Sequence, residues 1–587
     1  MNYYKYNYGE NGHVQYTWND HNLNSKINQF FFQLVRTHDN EDLYDLEYEL
    51  TSILEQIFHS KKSLKKYKNE MIKLYQIAGH TRDIIKGKGE RDLAYMQIFC
   101  WYNMNKYLGE YLLRCCVMLD EGKHPYGSWK DIKKISQYIY LKTNNKNHPF
   151  INSIVTFVNE QLLIDMTNYD NNKKISLLAK WLPRKSKNNK KYGWLFEKLA
   201  YDMYSYYFKN IKNKNGLRKA KNKAEMAYRT ILSRLNFKLE TVEINQCSNN
   251  WRLIDLDKVP SLAMNRYYYS FYFDRSGRDL DKFPSVRLDR DKCRNNFIRH
   301  IAFNKFNTKN IQPYQIIHEI IHKDIWNYDK NMPIRKYINS VWKSYNEQNK
   351  LYIKKIIPFI DTSFQMEKDN NIPLYNSIAL GIKISEIEIN EYKNRVITFD
   401  SIPNWIKFDE NDDICDKVNK IVNNSLGCNS DFYKSLRLIL DTVCKENINN
   451  NEIKNTKLII FSDMQIENNS PILNRRRMTL HNTITKIFEN IGINGPYKKP
   501  YRCPTIIFWN LRKTNGFPCD IDTSDISIMG GYNDKSLIYL NNTPNPELSN
   551  NNKTTSYHIS NGDYNIKSML KHHRYYCLEK KINDFLN

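Results

Sequence analysis

The sequence predicts a multidomain protein, in which an all-α, HEAT-like helical N-terminal region precedes a doubly wound α/β domain. A chain of 587 residues exceeds the length at which a single hydrophobic core keeps growing. Apolar residues recur mostly at helical spacing as far as Trp342, and in short β-rich runs after Lys350. We therefore predict a helical domain at residues 1–345 and an α/β domain at residues 350–587.

The first part is predicted to be a series of helices. Its apolar residues lie three and four apart, as in Leu43, Leu46 and Leu50, and Gly, Pro and Asn residues separate the runs. Short helices with short connections favour stacked helical hairpins of the HEAT-like kind. No fixed sequence period accompanies them, so the repeat prediction depends on the helical pattern alone.

The second part alternates predicted strands with predicted helices. Strands that are apolar on both faces are typical of a mostly parallel sheet with helices on each side. The strands are predicted at 356–360, 395–399, 457–461, 505–509, 525–529 and 536–540, and helices at 372–389, 431–443 and 474–491. A polar loop at about 541–561 and a C-terminal helix complete the domain.

The positive charge is concentrated in the first part of the chain. Residues 1–350 carry 59 Lys and Arg against 36 Asp and Glu, a net of +23, whereas residues 351–587 carry 30 against 27, a net of +3. A basic region of this kind indicates an anionic partner, with nucleic acid as the first candidate. The alternative is the codon bias of an A/T-rich genome, which also enriches Lys, Asn, Ile and Tyr.

Cysteine usage and hydropathy predict an intracellular, cytoplasmic protein with no membrane partner. The eleven cysteines include no C-x-x-C pair, which is typical of reduced thiols without a zinc finger. The first residues are polar, and no apolar run approaches the roughly 18 residues that a membrane span needs.

Two predicted strands end in an aspartate, at Asp361 and Asp463, and Ser363 and Ser430 lie nearby in the predicted topology. Ligands of a doubly wound sheet collect beyond the carboxyl ends of its strands. Carboxylate and hydroxyl oxygens are the ligands that Mg²⁺ prefers. The sequence therefore predicts a Mg²⁺ site at these strand ends, with helix capping by each Asp as the alternative.

The segments D-T-S-F-Q, N-S-D-F and F-S-D-M-Q occur in this order and resemble the metal-ion-dependent adhesion site of von Willebrand factor A domains. That resemblance implies metal ligation by Asp361, Ser363 and Asp463, with Ser430 in place of the motif's Thr. Gln365 stands where the motif has its last Ser. Its longer amide leaves open whether the metal is bound.

Five further segments of the chain are distinctive: HTRDIIKGKGERD, YGSWKDI, ISLLAKWLP, WRLIDLDKVPSLAMNRY and IIFWNLR. Together they resemble an uncharacterised family of plants, fungi and giant DNA viruses of the mimivirus type. Its members join a TROVE-like helical region to a von Willebrand factor A-like domain. The same pairing occurs in the Ro autoantigen, which binds RNA. The resemblance implies an RNA-binding protein of a ribonucleoprotein.

Three groups of basic residues are the candidate RNA contacts, because Lys and Arg neutralise phosphates and nearby aromatic rings stack on unpaired bases. The alternative is that the lysines lie on solvated faces, and that the aromatic rings belong to the core. The candidates are Arg82, Lys86, Lys88 and Arg91; Arg184, Lys185, Lys187, Lys190 and Lys191; and Arg218, Lys219, Lys221 and Lys223.

We expect an RNA-binding scaffold rather than an enzyme, because no base or group that would recognise a leaving group accompanies the two aspartates. The run from His318 to His322 is interpreted as part of an ordinary helix. The alternative function is a protein-interaction or structural component, such as a virion or assembly protein, that binds a partner through the α/β domain. The oligomeric state stays open.

Overall fold

A computed structural model gives the fold. It describes residues 6–119, 122–185, 190–209, 211, 213–272, 284–303, 306–308, 311–349, 355–388, 393–398, 403–424, 432–445, 453, 456–465, 479–495, 498–521, 523, 526–541 and 561–587.

Helices account for most of the described residues. In chain order they are α1 (Leu23–Gln33), α2 (Asn40–Phe58), α3 (Lys61–Lys66), α4 (Lys68–Arg82), α5 (Asp92–Met104), α6 (Lys106–Val117), α7 (Lys130–Thr143), α8 (Pro149–Asp170), α9 (Leu178–Trp181), α10 (Gly193–Met203), α11 (Lys214–Lys238), α12 (Val242–Cys247), α13 (Ser261–Tyr272), α14 (Pro284–Phe303), α15 (Pro313–His322), α16 (Pro333–Gln348), α17 (Ile372–Ile387), α18 (Ile414–Asn424), α19 (Phe432–Lys445), α20 (Leu480–Asn494), α21 (Asn561–Leu570) and α22 (Tyr576–Leu586).

The strands form a hairpin and a six-stranded sheet. They are β1 (Tyr6–Tyr8), β2 (Val14–Tyr16), β3 (Ile356–Ile360), β4 (Arg395–Thr398), β5 (Asn404–Lys407), β6 (Lys457–Ser462), β7 (Thr505–Asn510) and β8 (Ile526–Gly530). The hairpin pairs β1 with β2, and the sheet has the order β5-β4-β3-β6-β7-β8. Its pairs are parallel except for β4 with β5.

The chain divides into two compact units. The α/β unit comprises residues 1–81, 85–93 and 305–587, and the helical unit comprises residues 82–84 and 94–304. A helical part and an α/β part are thus present, as the sequence predicts at the level of fold class. The domain boundary at residues 345–350 stays a prediction, while the packing places α1 to α3, nearly all of α4, and α15 and α16 in the α/β unit.

The helical unit is held together by apolar faces at helical spacing. On α11 the buried residues Ala224, Tyr228 and Leu232 recur every four positions. Helix α8 buries its apolar stripe against α10 and α11, and α7 and α9 pack beside it. The Tyr102 and Phe150 rings stack with their centroids 4.0 Å apart, and such aromatic pairs stabilise a core beyond the area that they bury.

Two strands of the α/β unit, β3 and β8, are buried along their whole length. All five residues of β3 and of β8 are buried, as expected for a sheet covered on both faces. Helix α17 packs on β3, where Gly381 allows the close approach: a Cβ there would lie 2.2 Å from the Ile360 side chain. Helix α15 in turn packs on α17.

One predicted strand is wrong. Residues 536–540 belong to a 3₁₀ helix, Asp534–Asn541. The Asn533 side chain accepts a hydrogen bond from the backbone N–H of Lys535 at 3.1 Å, a turn that competes with extended structure. The buried Asp534 carboxylate bonds Lys383 and Tyr345. The hairpin β1–β2, the edge strand β5 and the helix α18 were not predicted.

No helix among the described residues combines the length and the apolar character that crossing a lipid bilayer requires.

Candidate functional site

The two predicted strand-end aspartates lie at the point where the sheet reverses its order. The chain runs outward from β3 to β4 and β5, and then returns to the other side of β3 as β6. Asp361 and Asp463 directly follow β3 and β6, which are parallel neighbours. This position is the topological switch point, where open α/β sheets bind their ligands.

Asp361 is held inside the sheet end by hydrogen bonds. Its side chain accepts from the backbone N–H of Ser363 at 3.0 Å and from the Ser462 hydroxyl at 2.5 Å. Burial and the nearby charge of Asp463 raise the pKa of Asp361 to about 7, against the opposing effect of these hydrogen bonds.

Asp463 is paired with an arginine of the same unit. The Asp463 Oδ2 atom accepts from Nε and Nη2 of Arg512, at 3.1 and 2.9 Å, while Oδ1 accepts from the N–H of Gln465 at 3.0 Å. Arg512 also donates from Nη2 to Glu10 at 2.9 Å. The arginine therefore supplies the positive charge at this strand end.

The turn of the N-terminal hairpin lies over the same strand ends. Asn11 exchanges two hydrogen bonds with the Gln365 amide, at 2.8 and 3.2 Å, and donates to the Gln465 carbonyl at 2.5 Å. The Gln465 side chain accepts from the N–H of Glu10 at 2.7 Å. Gln365, which stands in place of the motif's Ser, thus binds the hairpin turn.

Of the predicted Mg²⁺ ligands, Asp361, Ser363 and Asp463 lie at this strand end, and ion binding there stays a prediction. A guanidinium group already pairs with Asp463, and a metal ion at the same carboxylate would meet its repulsion. Ser430 lies outside the described residues. Among those described, no group of three or more His, Cys, Asp and Glu side chains is arranged to hold a metal ion.

A polar cavity of about 290 Å³ opens beside the hairpin turn in the α/β unit. Charged side chains of both signs line it, and several are paired with each other: Lys513 lies 3.1 Å from Asp42, and Lys368 lies 3.2 Å from Glu10. Because the opposite charges compensate each other, the cavity favours neither a cationic nor an anionic ligand.

Two residues of the first basic group, Arg82 and Lys88, are buried and make contacts that stabilise the fold. Arg82 is buried in the helical unit and makes a bidentate ion pair with Asp131. Lys88 is buried in the α/β unit, where its Nζ donates to the carbonyls of Phe31 and Leu34, and burial lowers the pKa of Lys88 to about 7. These two side chains have intramolecular partners in place of a phosphate.

The rest of that group is more accessible. Lys86 is half-buried and Arg91 is exposed. The turn between them uses its backbone N–H groups within the α/β unit, since Lys88 donates to the His80 carbonyl at 3.0 Å and Glu90 to the Thr81 carbonyl at 2.8 Å. The turn therefore does not present these two amides to a phosphate.

The second basic group is described only in part. Arg184, Lys185 and Lys191 are exposed, and Lys185 pairs with Glu197 at 2.7 Å and with Glu225 at 3.0 Å. Lys187 lies outside the described residues, and the side chain of Lys190 does as well.

The third basic group lies on one long helix. Arg218, Lys219, Lys221 and Lys223 are all exposed on α11. The apolar residues of α11 face the core of the helical unit, which leaves these cations on the solvent side. Of the three groups, this one presents its cations most completely.

A stack of tyrosines lies beside α11 in the helical unit. The Tyr204 and Tyr207 rings are parallel to within 8°, with centroids 5.4 Å apart, and the Tyr206 ring lies 4.4 Å from Tyr207. The Nζ atom of Lys223 lies 4.3 Å from the centre of the Tyr207 ring. Tyr206 is 54% exposed, so its ring does not lie in the core, as the alternative to RNA binding would have it.

Next to this stack is an open cavity of about 390 Å³ in the helical unit. Its lining is largely apolar and includes Tyr204, Tyr206, Leu163, Met166 and Met203. A volume of this size falls within the range of small-molecule sites.

The lysines of α7 were not among the predicted RNA contacts. Lys130 and Lys133 place their Nζ atoms 5.3 and 5.4 Å from the centre of the Trp181 ring, and Lys134 lies 6.0 Å from that of Tyr192. The signal was present in the spacing, because residues 130, 133 and 134 lie on one face of a helix.

A second missed signal lies in α15. The run from His318 to His322 reads His-Glu-Ile-Ile-His, so its two histidines are four residues apart and share one helix face. The interpretation as an ordinary helix agrees with the apolar packing of α15, but it overlooked this spacing.

The comparisons with known proteins fall on both units. Residues 128–285 match the model of a domain of unknown function (DUF2828), and residues 356–572 match that of a domain of unknown function (DUF7788). The uncharacterized protein L728 of Acanthamoeba polyphaga mimivirus is 24% identical over 452 residues, which are 75% of this chain and 71% of that protein. The matches support an uncharacterised family of the giant-virus type.

Proposed function

We propose that the protein binds RNA through its helical unit, at unpaired nucleotides. The observation that carries this proposal is the exposed ring of Tyr206 next to the stacked pair of Tyr204 and Tyr207, beside the exposed cations of α11. Exposed aromatic rings stack on unpaired bases, and neighbouring Lys and Arg neutralise the phosphates between them. Both kinds of group are thus present in one part of one unit.

The distribution of charge supports the same proposal. Residues 82–84 and 94–304, which form the helical unit, carry 39 Lys and Arg against 20 Asp and Glu, a net of +19 of the chain's +26. The codon bias of a genome acts on the whole chain, so it does not account for this concentration. A strongly basic unit attracts polyanions over distances beyond direct contact.

The finer identity also belongs to this proposal. The helical unit would correspond to a TROVE-like region and the α/β unit to a von Willebrand factor A-like domain, as in the Ro autoantigen. No metal-dependent contact is included, because the guanidinium of Arg512 already pairs with the Asp463 carboxylate.

The charge contribution is tested by fluorescence anisotropy of labelled oligonucleotides with the full-length chain at several salt concentrations. We expect K219A/K221A/K223A to weaken binding and, if all three lysines contact phosphates, to reduce the salt slope by about 2 for single strands. The control K61A/K62A/K65A removes the same charge from exposed positions of α3 and should leave the affinity nearly unchanged.

The stacking contribution is tested by Tyr206→Ala against Tyr206→Phe. Loss of the ring should weaken binding of single-stranded RNA by about 1–3 kcal/mol, whereas Phe retains the ring and should bind as the wild type does. Binding of duplex RNA should respond less, because its bases are already stacked on each other.

The proposal fails if the chain does not bind RNA at low salt, or if both lysine triples weaken binding equally. Capture of a protein partner by a chain that does not bind RNA would instead favour the alternative of an interaction or assembly component.

A further inference from the structure

The pair of histidines on α15 has a geometry that the RNA proposal does not use. Helix α15 buries Ile316, Ile317 and Ile320, which leaves His318 half-buried and His322 exposed. Because the two residues are four apart, their side chains extend from successive turns of the same face. Their ring centroids are 4.1 Å apart, and the ring planes are inclined by 43°.

A tyrosine of the neighbouring helix α17 forms one wall of this pair. The Tyr375 ring is buried and lies edge-on to both imidazoles, with centroids 5.8 Å from His318 and 6.1 Å from His322. A rigid wall on one side limits the orientations of the two rings, so bringing them together at a ligand costs less entropy.

We propose that His318 and His322 together form an open site for a divalent transition metal of the zinc and copper class. Two imidazole nitrogens at i and i+4 of one helix supply two of the ligands that these ions prefer. The remaining positions would go to water or to a group from outside the chain, since the described residues offer no set of three His, Cys, Asp and Glu side chains for a metal.

The chemistry of this site is that of binding rather than hydrolysis. In metalloproteases with the same histidine spacing, the intervening Glu acts as the general base and a third protein ligand completes the site. Here the Glu319 carboxylate pairs with Lys323. Bridging the last turn of α15 to the turn before it, a bound ion would stabilise that end of the helix.

The test adds Cu²⁺ and, separately, Zn²⁺ to the full-length chain without a histidine tag. We expect a bound equivalent of Zn²⁺ by calorimetry, and electron paramagnetic resonance of the Cu²⁺ complex should show coupling to two imidazole nitrogens. His322→Gln should abolish binding of that equivalent of Zn²⁺, and it should remove the coupling of Cu²⁺ to a second imidazole nitrogen. The substitution is at an exposed side chain at the helix end, so the variant's circular dichroism spectrum should match that of the wild type.

The matched control is His573→Gln, in a second pair of neighbouring histidines. The His572 and His573 rings are 4.3 Å apart, but these residues are adjacent in sequence, and His572 accepts from the N–H of Arg574 at 3.3 Å. His573→Gln should leave metal binding intact. Binding that survives His322→Gln, or that is lost in His573→Gln, would overturn the proposal.

Discussion

At the scale of single residues, one fully buried ion pair of the α/β unit depends on the presence of both its members. Lys383 and Asp534 form an ion pair in which neither side chain is exposed, and the Tyr345 hydroxyl donates to the same carboxylate. Removing one member of such a pair leaves the other charge buried without compensation, which costs far more than the pair contributes.

Asp534→Asn should therefore lower the free energy of unfolding by about 3–5 kcal/mol, because Lys383 loses its buried counterion. Urea denaturation followed by circular dichroism measures the loss. The control Asp409→Asn breaks an ion pair of the exposed Asp409 with Lys420 and should cost much less, because exposed ion pairs contribute little to stability. Equal losses in the two variants would contradict the account of the buried pair.

The raised pKa of Asp361 makes stability depend on pH in a definite direction. The ordinary value of 3.8 rises to about 7 in the folded chain, so the folded state holds this proton more tightly than the unfolded state does. The contribution of Asp361 is most favourable below pH 3.8, declines as the pH rises through the window from 3.8 to 7, and stays unfavourable above it.

Asp361→Asn, a neutral side chain of the same shape, should thus be more stable than the wild type at pH 8, by on the order of a few kcal/mol. The difference should fade as the pH is lowered toward 4. Denaturant unfolding at a series of pH values provides the measurement. Asp463→Asn is the counterpart and should destabilise at pH 8, since it leaves Arg512 with less compensation. A stability difference between Asp361→Asn and the wild type that does not change with pH would contradict the raised pKa of Asp361.

At the scale of elements, the hairpin β1–β2 is attached to the rest of the α/β unit by polar contacts of its turn and by its second strand. Tyr16 exchanges backbone hydrogen bonds with Phe517, each at 3.0 Å. The turn contributes the Asn11 contacts with Gln365 and Gln465. A two-stranded hairpin is marginally stable by itself, so these contacts are expected to hold it.

Asn11→Ala should speed amide hydrogen exchange in residues 6–16, because it removes the side-chain bonds that hold the turn to the strand ends. Exchange mass spectrometry on the full-length chain measures the effect. Peptides from β7, an inner strand of the six-stranded sheet, serve as the internal control and should exchange as slowly as in the wild type. Unchanged protection of residues 6–16 would show that the strand contacts suffice.

The sheet could be predicted from sequence because its signals are local. Continuous apolar runs such as 356–360 end at an Asp or a turn, and alternation with helical patterns then implies parallel strands. The short edge strand β5, with exposed Asn404 and Lys407, carries little of that pattern. Residues 536–540 show the apolar pattern of a strand, but the polar contacts of Asn533 and Asp534 favour a tighter turn.

The candidate site could be predicted only in part for a different physical reason. Asp361 and Asp463 follow from strand ends, whereas Arg512, which pairs with Asp463, lies 49 residues away, and Glu10, which also binds Arg512, lies 502 residues from it. Likewise, the ion pair of Arg82 with Asp131 turns an apparent surface cation into a core residue. No local pattern indicates which basic side chain finds a buried carboxylate.

At the scale of the whole molecule, the reactivity of the cysteine thiols indicates how completely the chain is folded. Of the described cysteines, Cys247 is exposed, three are partly buried and six are buried. Burial raises the pKa of Cys116 and of Cys519, which lowers their thiolate population as well as their accessibility.

A thiol reagent at neutral pH should therefore modify Cys247 first among the described cysteines of the native chain, and all eleven cysteines after denaturation. Mass spectrometry of peptides from a time course identifies the order. Cys247→Ser should remove the fast phase, while Cys577→Ser, at a partly buried position, should leave it intact. Rapid labelling of Cys519 in the native chain would contradict the packing of the α/β unit.

The contacts of the hairpin turn also set an order of events during synthesis. Asn11 meets Gln365 across 354 residues, and Glu10 meets Arg512 across 502. A ribosome that adds roughly 5–20 residues per second needs about 25–100 seconds to reach Arg512 after the turn has emerged. Glu10 lacks Arg512 throughout that interval, and Asn11 lacks Gln365 until 354 residues have been added, so the first segment made is among the last to be fixed.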